Sequence, residues 1–290
     1  MRPSHVALAV LVTALWGINF VVIRIGIDNF PPLLFSVFRF SLAAVPLVFF
    51  IPKPNVSWRL IIGLGFVLGV VKFSLLFIGM DLGVSAGMAS VVLQSQAFFT
   101  VILAALVLHD HPTKLQMTGI AVAFTGIILI ATTVDNSLTP TGLLLVLAAG
   151  AAWAVYNLML KWVGQVNMLH LMVWISLVPP LPLLALSMIF EGPGAAYIAI
   201  STLNWQGVGA VIFNAFVTSI LCFAIWSKLI RLYGPGKVAP FSLLVPIFGM
   251  SSAALILGET FGPVRLAATG LIILGLILTV LKPKGKSANP

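Results

Sequence analysis

The chain has 290 residues, 61% of them hydrophobic and only 7% charged, with a net charge of +9. A soluble domain carries about a quarter charged residues, so this composition cannot clothe a water-soluble surface. Nucleic acid is not the partner that the basic excess suggests. The Lys and Arg residues stand singly between apolar runs and form no stripe, a pattern that fits topology signals and anionic lipid headgroups.

A helix needs about 20 apolar residues to cross the hydrocarbon core. Runs of that size predict ten spans, near 6–26, 33–51, 60–79, 84–108, 115–133, 141–163, 170–190, 206–231, 237–257 and 264–281. The first run is too long for a signal-peptide core and reads as a retained span. Pro31-Pro32 and Pro112 stop helices at the joints, because Pro cannot continue one. Trp58, Trp162 and Trp205 fall at span ends, where indoles favour the interface. Cys222 is the single cysteine, so an intramolecular disulfide is impossible and a zinc site is not expected. No Walker motif is present, and neither ATP nor any cofactor is expected.

With the N-terminus in the cytoplasm, alternate joints sort the charges. Arg2, Lys53, Arg59, Lys114, Lys161, Lys228, Arg231, Lys237, Lys282, Lys284 and Lys286 fall inside. Only Arg24 and Arg265 fall outside, together with Asp28, Asp81, Asp135, Glu191 and Glu259. Basic residues near span ends resist translocation, so the bias sets orientation. It predicts an all-α integral membrane protein with both termini cytoplasmic, the Lys282–Lys286 run forming a basic cytoplasmic end.

The sequence also repeats. A shift of 149 residues lays Gly87 on Gly236, Ala104-Ala105-Leu106 on Ala253-Ala254-Leu255, Asp110 on Glu259 and Gly126 on Gly275. A shift of 137 lays Trp16 on Trp153 and Arg24 on Lys161. Five spans are an odd number, so the second copy must enter from the opposite side. This places Asp110 inside, against the charge rule, as the partner of Glu259. The predicted units are 1–134 and 135–290, two inverted five-helix repeats. That plan is frequent in secondary transporters, which open alternately to the two sides around a midplane site.

Ten spans as five plus five resemble the drug/metabolite transporter superfamily and its EamA family. The run Ala14-Leu15-Trp16-Gly17-Ile18-Asn19-Phe20 is similar to that family's W-G-x-N-F signature. Arg39-Phe40 after Pro31-Pro32, and Asp110 with Gly119 and Gly126, also look like its pattern. The segment from Gly87 to Thr100 resembles the branch that exports amino acids and their derivatives. The resemblance implies a multi-pass protein of the bacterial inner membrane whose partners are a small-molecule substrate and the lipid bilayer. There are departures. Ala268 stands where the first copy has Gly119, and the seventh span has nothing equivalent to Arg39.

Several residues fall at membrane depth. Trp16 with Asn19, and Trp153 with Asn157, each share a helix face near the midplane. Gln94 lies mid-span on the face of Gly87, Ser90 and Phe98; it either faces the pathway or bonds a neighbouring helix. Gln96 points elsewhere. Lys72, with Phe73 and Phe77 beside it, suits a substrate carboxylate; the alternative is snorkelling toward the outer interface. Arg39 reads as a pin to helix-end carbonyls, Asp28 or Asp81, with a pathway role as the alternative. Gly83 and Gly87 suit close packing or hinging, and Asn214 and Thr218 a polar pathway or bonds to neighbouring helices. Pro240 and Pro246 kink the ninth span and free the carbonyls of Gly236 and Ser242.

Every Asp, Glu and His falls at a span end. Proton-coupled carriers keep a titratable group at depth, which leaves Lys72 as the single candidate for coupling. The function expected is a facilitator or uniporter that exports amino acids, aromatic or otherwise hydrophobic, and related metabolites by alternating access. A multidrug or nucleoside-type carrier of the same superfamily is the alternative. An integral-membrane enzyme is a distant third, because His109, Asp110 and His111 lack a partner motif.

Overall fold

The structure is a computed structural model that describes residues 1–109, 112–135 and 137–280. Asp110, His111 and the basic end from Lys282 lie outside the described residues. Nine helices among them are long and apolar enough to cross a membrane. They are Pro3–Asn29 (α1), Trp58–Asp81 (α3), Ala86–Leu108 (α4), Lys114–Ala131 (α5), Pro140–Trp162 (α6), Met168–Phe190 (α7), Trp205–Tyr233 (α8), Ala239–Leu257 (α9) and Pro263–Val280 (α10). A shorter apolar helix, Pro32–Val48 (α2), takes the position of the predicted second span. No strand occurs among the described residues; Asp135 and Leu138 form one isolated bridge.

Local chemistry fixes the helix ends. Ser57, Ser85, Thr113, Thr139 and Asn204 each place a side-chain oxygen on a free N–H of the first turn. Thr113 and Gln116 complete a reciprocal capping box. At the far ends, α4 closes on His109 at φ 54° and α9 on Gly258 at φ 68°, both left-handed. Their N–H groups return to the carbonyls of Ala104 and Ala253. His109 is the one non-glycine residue with positive φ among those described.

Regular α geometry fails at several places within the predicted spans, among them a break at Leu93-Gln94 in α4. Helix α7 breaks between Ser176 and Pro180, where Pro179 and Pro180 each remove a backbone donor. Helix α3 contains a π segment over Phe66–Lys72, and α8 contains another over Phe213–Leu221. Each ends on an N–H that reaches five residues back, Phe73 to Leu68 and Cys222 to Val217. Helix α9 begins with a 3₁₀ stretch, Ala239–Leu244, that contains Pro240, and its α-helical part starts at Val245-Pro246.

Small residues set the closest helix crossings, as expected where lipid supplies no hydrophobic drive between helices. A Cβ on Gly119 of α5 would stand 2.6 Å from the Gly275 carbonyl oxygen of α10, and one on Gly275 would stand 2.5 Å from that of Gly119. Gly126 lies equally tight on Ala268, its would-be Cβ 2.8 Å from that carbonyl oxygen. Gly79 and Gly142 bring α3 against α6 in the same way.

Candidate substrate site

The site forms where α1, α2, α3, α6 and α8 meet. The π segment of α3 ends at Lys72, which is only 2% exposed. Its ammonium does not snorkel outward. Nζ lies 3.4 Å from the Phe73 ring centroid and 4.3 Å from that of Trp153 on α6, close enough for the ring quadrupoles to attract the charge.

Arg39 of α2, 3% exposed, packs on the same aromatic group. Its Cζ lies 4.0 Å from the Phe73 centroid, 4.8 Å from Phe40 and 5.8 Å from Phe77. The expected pin to Asp28 or Asp81 does not form, because Asp28 is engaged by Arg24 one helical turn away. Instead Arg39 Nη2 donates to Ser219 Oγ at 3.0 Å. Nε and Nη1 of Arg39 are buried without a partner.

The π segment of α8 explains why Ser219 is available. Widening the turn loosens the carbonyl ladder, and hydroxyls take up the slack. Thr218 Oγ1 and Ser219 Oγ both donate to the Asn214 carbonyl, at 3.0 and 2.8 Å. Asn214 Nδ2 donates back along its helix to Ala210, leaving Oδ1 buried and unpartnered. Trp16 Nε1 of α1 donates to the Thr218 carbonyl at 3.4 Å, and its ring packs on Phe223 and Trp226 of α8. Asn19, on the same helix, keeps a buried and unpartnered Oδ1. Thr218 and Ser219 are neighbours in sequence, so α1 and α2 anchor on consecutive residues of α8.

Other predicted residues sit elsewhere. Gln94 Nε2 donates to the Ser242 carbonyl at 3.4 Å, so the expected freeing of that carbonyl by Pro246 is only partial: it also accepts the Val245 N–H that closes the 3₁₀ stretch. Asn157 Nδ2 donates to Gln96 Oε1 at 3.1 Å and to Thr100 Oγ1 at 3.2 Å, so Gln96 faces a partner helix. Phe98 is fully buried against Phe124. Gly83, at φ 112°, ends α3 and lines a polar cavity of about 330 Å³ with Arg24, Asp28, Ser85 and Glu259. Gly87 lies beneath Phe261 and Glu259, with no room for a side chain. Ser219 and Phe40, which touch Arg39, are not among the residues the sequence singles out for the site. The one signal for Ser219 was its position next to Thr218.

No cluster of His, Cys, Asp or Glu among the described residues would hold a metal. A bundle of apolar helices enclosing two cations lined by aromatic rings defines a polytopic membrane protein with a buried polar site. The EamA-like transporter family model matches residues 4–132 and again 140–281, and the chain belongs to that family. It is 39% identical over 279 residues to a probable amino-acid metabolite efflux pump of Salmonella typhimurium, covering 94% of this chain and 93% of that protein. It is 35% identical over 297 residues to a protein of the same description in Escherichia coli, covering 99% and 98%. A solved crystal structure with 15% identity overlays the whole of both chains with a TM-score of 0.64, which supports the fold.

Proposed function

We propose that the protein exports amino acids with aromatic or other hydrophobic side chains, and related metabolites, across the bacterial inner membrane. The observation that carries this reading is the buried pair Lys72 and Arg39 on one aromatic ring, with donors left free to receive a carboxylate. Phe73, Trp153 and Trp16 supply apolar and π surface for the rest of a cargo. The relatives described as amino-acid metabolite efflux pumps support the same class. A helical, multi-span protein of a bacterium belongs to the inner membrane, since outer-membrane spans are closed β-barrels.

The mechanism we infer is alternating access between two inverted five-helix halves in a ten-span chain with cytoplasmic termini. Three pairs of features support the halves. The π segments lie at matching depths of α3 and α8. The left-handed caps His109 and Gly258 fall on matched positions. The crossings Gly119 on Gly275 and Gly126 on Ala268 exchange with each other when the halves are swapped. Facilitated transport follows from the absence, among the described residues, of a carboxylate or imidazole at membrane depth.

Counterflow in proteoliposomes tests this. Labelled phenylalanine or leucine, or a derivative of either, is expected to accumulate against trapped unlabelled compound without ATP or a proton gradient. Absence of flux for every amino acid and derivative tried would overturn the reading.

A further inference from the structure

We infer that the preferred cargo is a net monoanion: a carboxylic acid with an apolar side chain whose amino group is acylated or absent, rather than the zwitterionic amino acid. This deepens the proposed export reading and rests on it. The argument is a charge count. Lys72 and Arg39 are both almost fully buried, and neither forms an ion pair among the described residues. Arg39 has one neutral hydrogen bond, to Ser219, and two unpartnered nitrogens.

Among the described residues, the acids are all committed or peripheral. Asp28 holds Arg24, and Asp135 holds Arg265. Glu191, at the end of α7 beside α2, accepts from Leu33 N, Leu34 N and Ser187 Oγ. Glu259 accepts from Ala86 N and Gly87 N. Asp81 closes α3 at its outer end. A zwitterion entering here would find cations for its carboxylate and no carboxylate to balance its ammonium. The ammonium would meet two like charges in a medium where charge interactions are several times stronger than in water.

Neutral acceptors are present. Asn19 and Asn214 each have a buried, unpartnered amide oxygen. An amide oxygen accepts an uncharged N–H without balancing a charge, so it suits the N–H of an acylated amine. Two arms follow. If the amide oxygens contribute, N-acyl compounds exceed deaminated ones; if charge alone decides, the two are equal.

The experiment is competition in counterflow, with labelled N-acetylphenylalanine as tracer. The unlabelled competitors are N-acetylphenylalanine, 3-phenylpropionate, phenylalanine and 2-phenylethylamine. Both anions are expected to compete at a concentration lower than phenylalanine by about tenfold or more, an interval one unbalanced buried charge readily supplies. The amine should be weakest. Lys72→Gln should compress the interval between anion and zwitterion, and Lys72→Arg should restore most of it. Arg39→Gln provides a second reading should Lys72→Gln not fold. Phenylalanine competing as well as or better than both anions, while flux proceeds, would overturn this inference and leave the export reading standing. Flux of labelled phenylalanine but not of labelled N-acetylphenylalanine would do the same. Flux of no compound overturns the export reading itself.

Discussion

Glu259 grips the start of the helix that begins at Ala86. One carboxylate oxygen accepts from the Ala86 N–H at 2.7 Å and the other from the Gly87 N–H at 3.0 Å. The contact joins residues 173 positions apart and ties the end of α9 to the start of α4. Charge and geometry agree, since the free N–H groups of a helix start carry partial positive charge. Glu259→Gln keeps one good acceptor and loses the charge. It is expected to cost about 1–2 kcal/mol, read as a lower Tm of the detergent-purified protein. Glu259→Ala should lower Tm further.

The crossing of α5 and α10 gives a contrast within one helix. Gly275→Ala would put a Cβ 2.5 Å from the Gly119 carbonyl oxygen, whereas Gly270 has no neighbour within 4 Å. Gly275→Ala should therefore cost about 1–3 kcal/mol as the helices are forced apart. Gly270→Ala should be neutral or slightly stabilising. Thermal unfolding of the two variants in parallel decides between a packing role and general sensitivity to added bulk.

His109 holds the left-handed φ of 54° that Gly258 adopts at the matching position. A side chain there is strained and glycine is not. His109→Gly is expected to stabilise by up to about 1 kcal/mol, less what the freer unfolded chain gives back. Unchanged transport in the same variant would fit a structural role for this histidine; loss of flux would point to a chemical one.

Transport should depend steeply on Lys72. Lys72→Ala removes a charge that lies 3.4 Å from the Phe73 centroid and 4.3 Å from that of Trp153. A reduction in flux of about tenfold or more is expected, measured as initial counterflow rate per reconstituted protein. Trp153→Phe keeps an aromatic face and should cost less than Trp153→Leu. Equal rates for Lys72→Ala and the parent chain would remove Lys72 from the site.

At the joint before α6, the Arg265 hydrogen bond, aided by Ser137, holds the Asp135 carboxyl down at about 2. A depressed carboxyl contributes stability above its unfolded value, and that contribution is lost as pH falls toward the folded one. The Tm difference between the parent and Asp135→Asn should be small, because the Asp135 carboxylate is exposed and Arg265 keeps its bonds to Thr133 and Ser137. It should stay constant from about pH 5 to 8 and shrink only between about pH 4 and 2. A change near neutrality would assign the titration to another group.

The sequence made the helices legible because apolar run length alone marks them; Trp58 and Trp205 open α3 and α8 close to where interfacial indoles predicted. It made Lys72 legible because a buried charge has few innocent explanations. The partners were another matter. Arg39 finds Ser219 across 180 residues, and Asn157 finds Gln96 across 61, distances at which spacing carries no information. Gln94 was read as facing either the pathway or a neighbour. The neighbour is the Ser242 carbonyl of α9, a relation that needs both helices in place.

The two π segments have a consequence for any numbering of faces on α3 and α8. A π turn holds one residue more than an α turn, so everything beyond it is rotated by about 100° against a wheel drawn from the start of the helix. Removing one residue between Phe66 and Lys72 would leave an unbroken α-helix of nearly the same length. It would also turn one end against the other like a misthreaded screw, and the ammonium would no longer point at its rings.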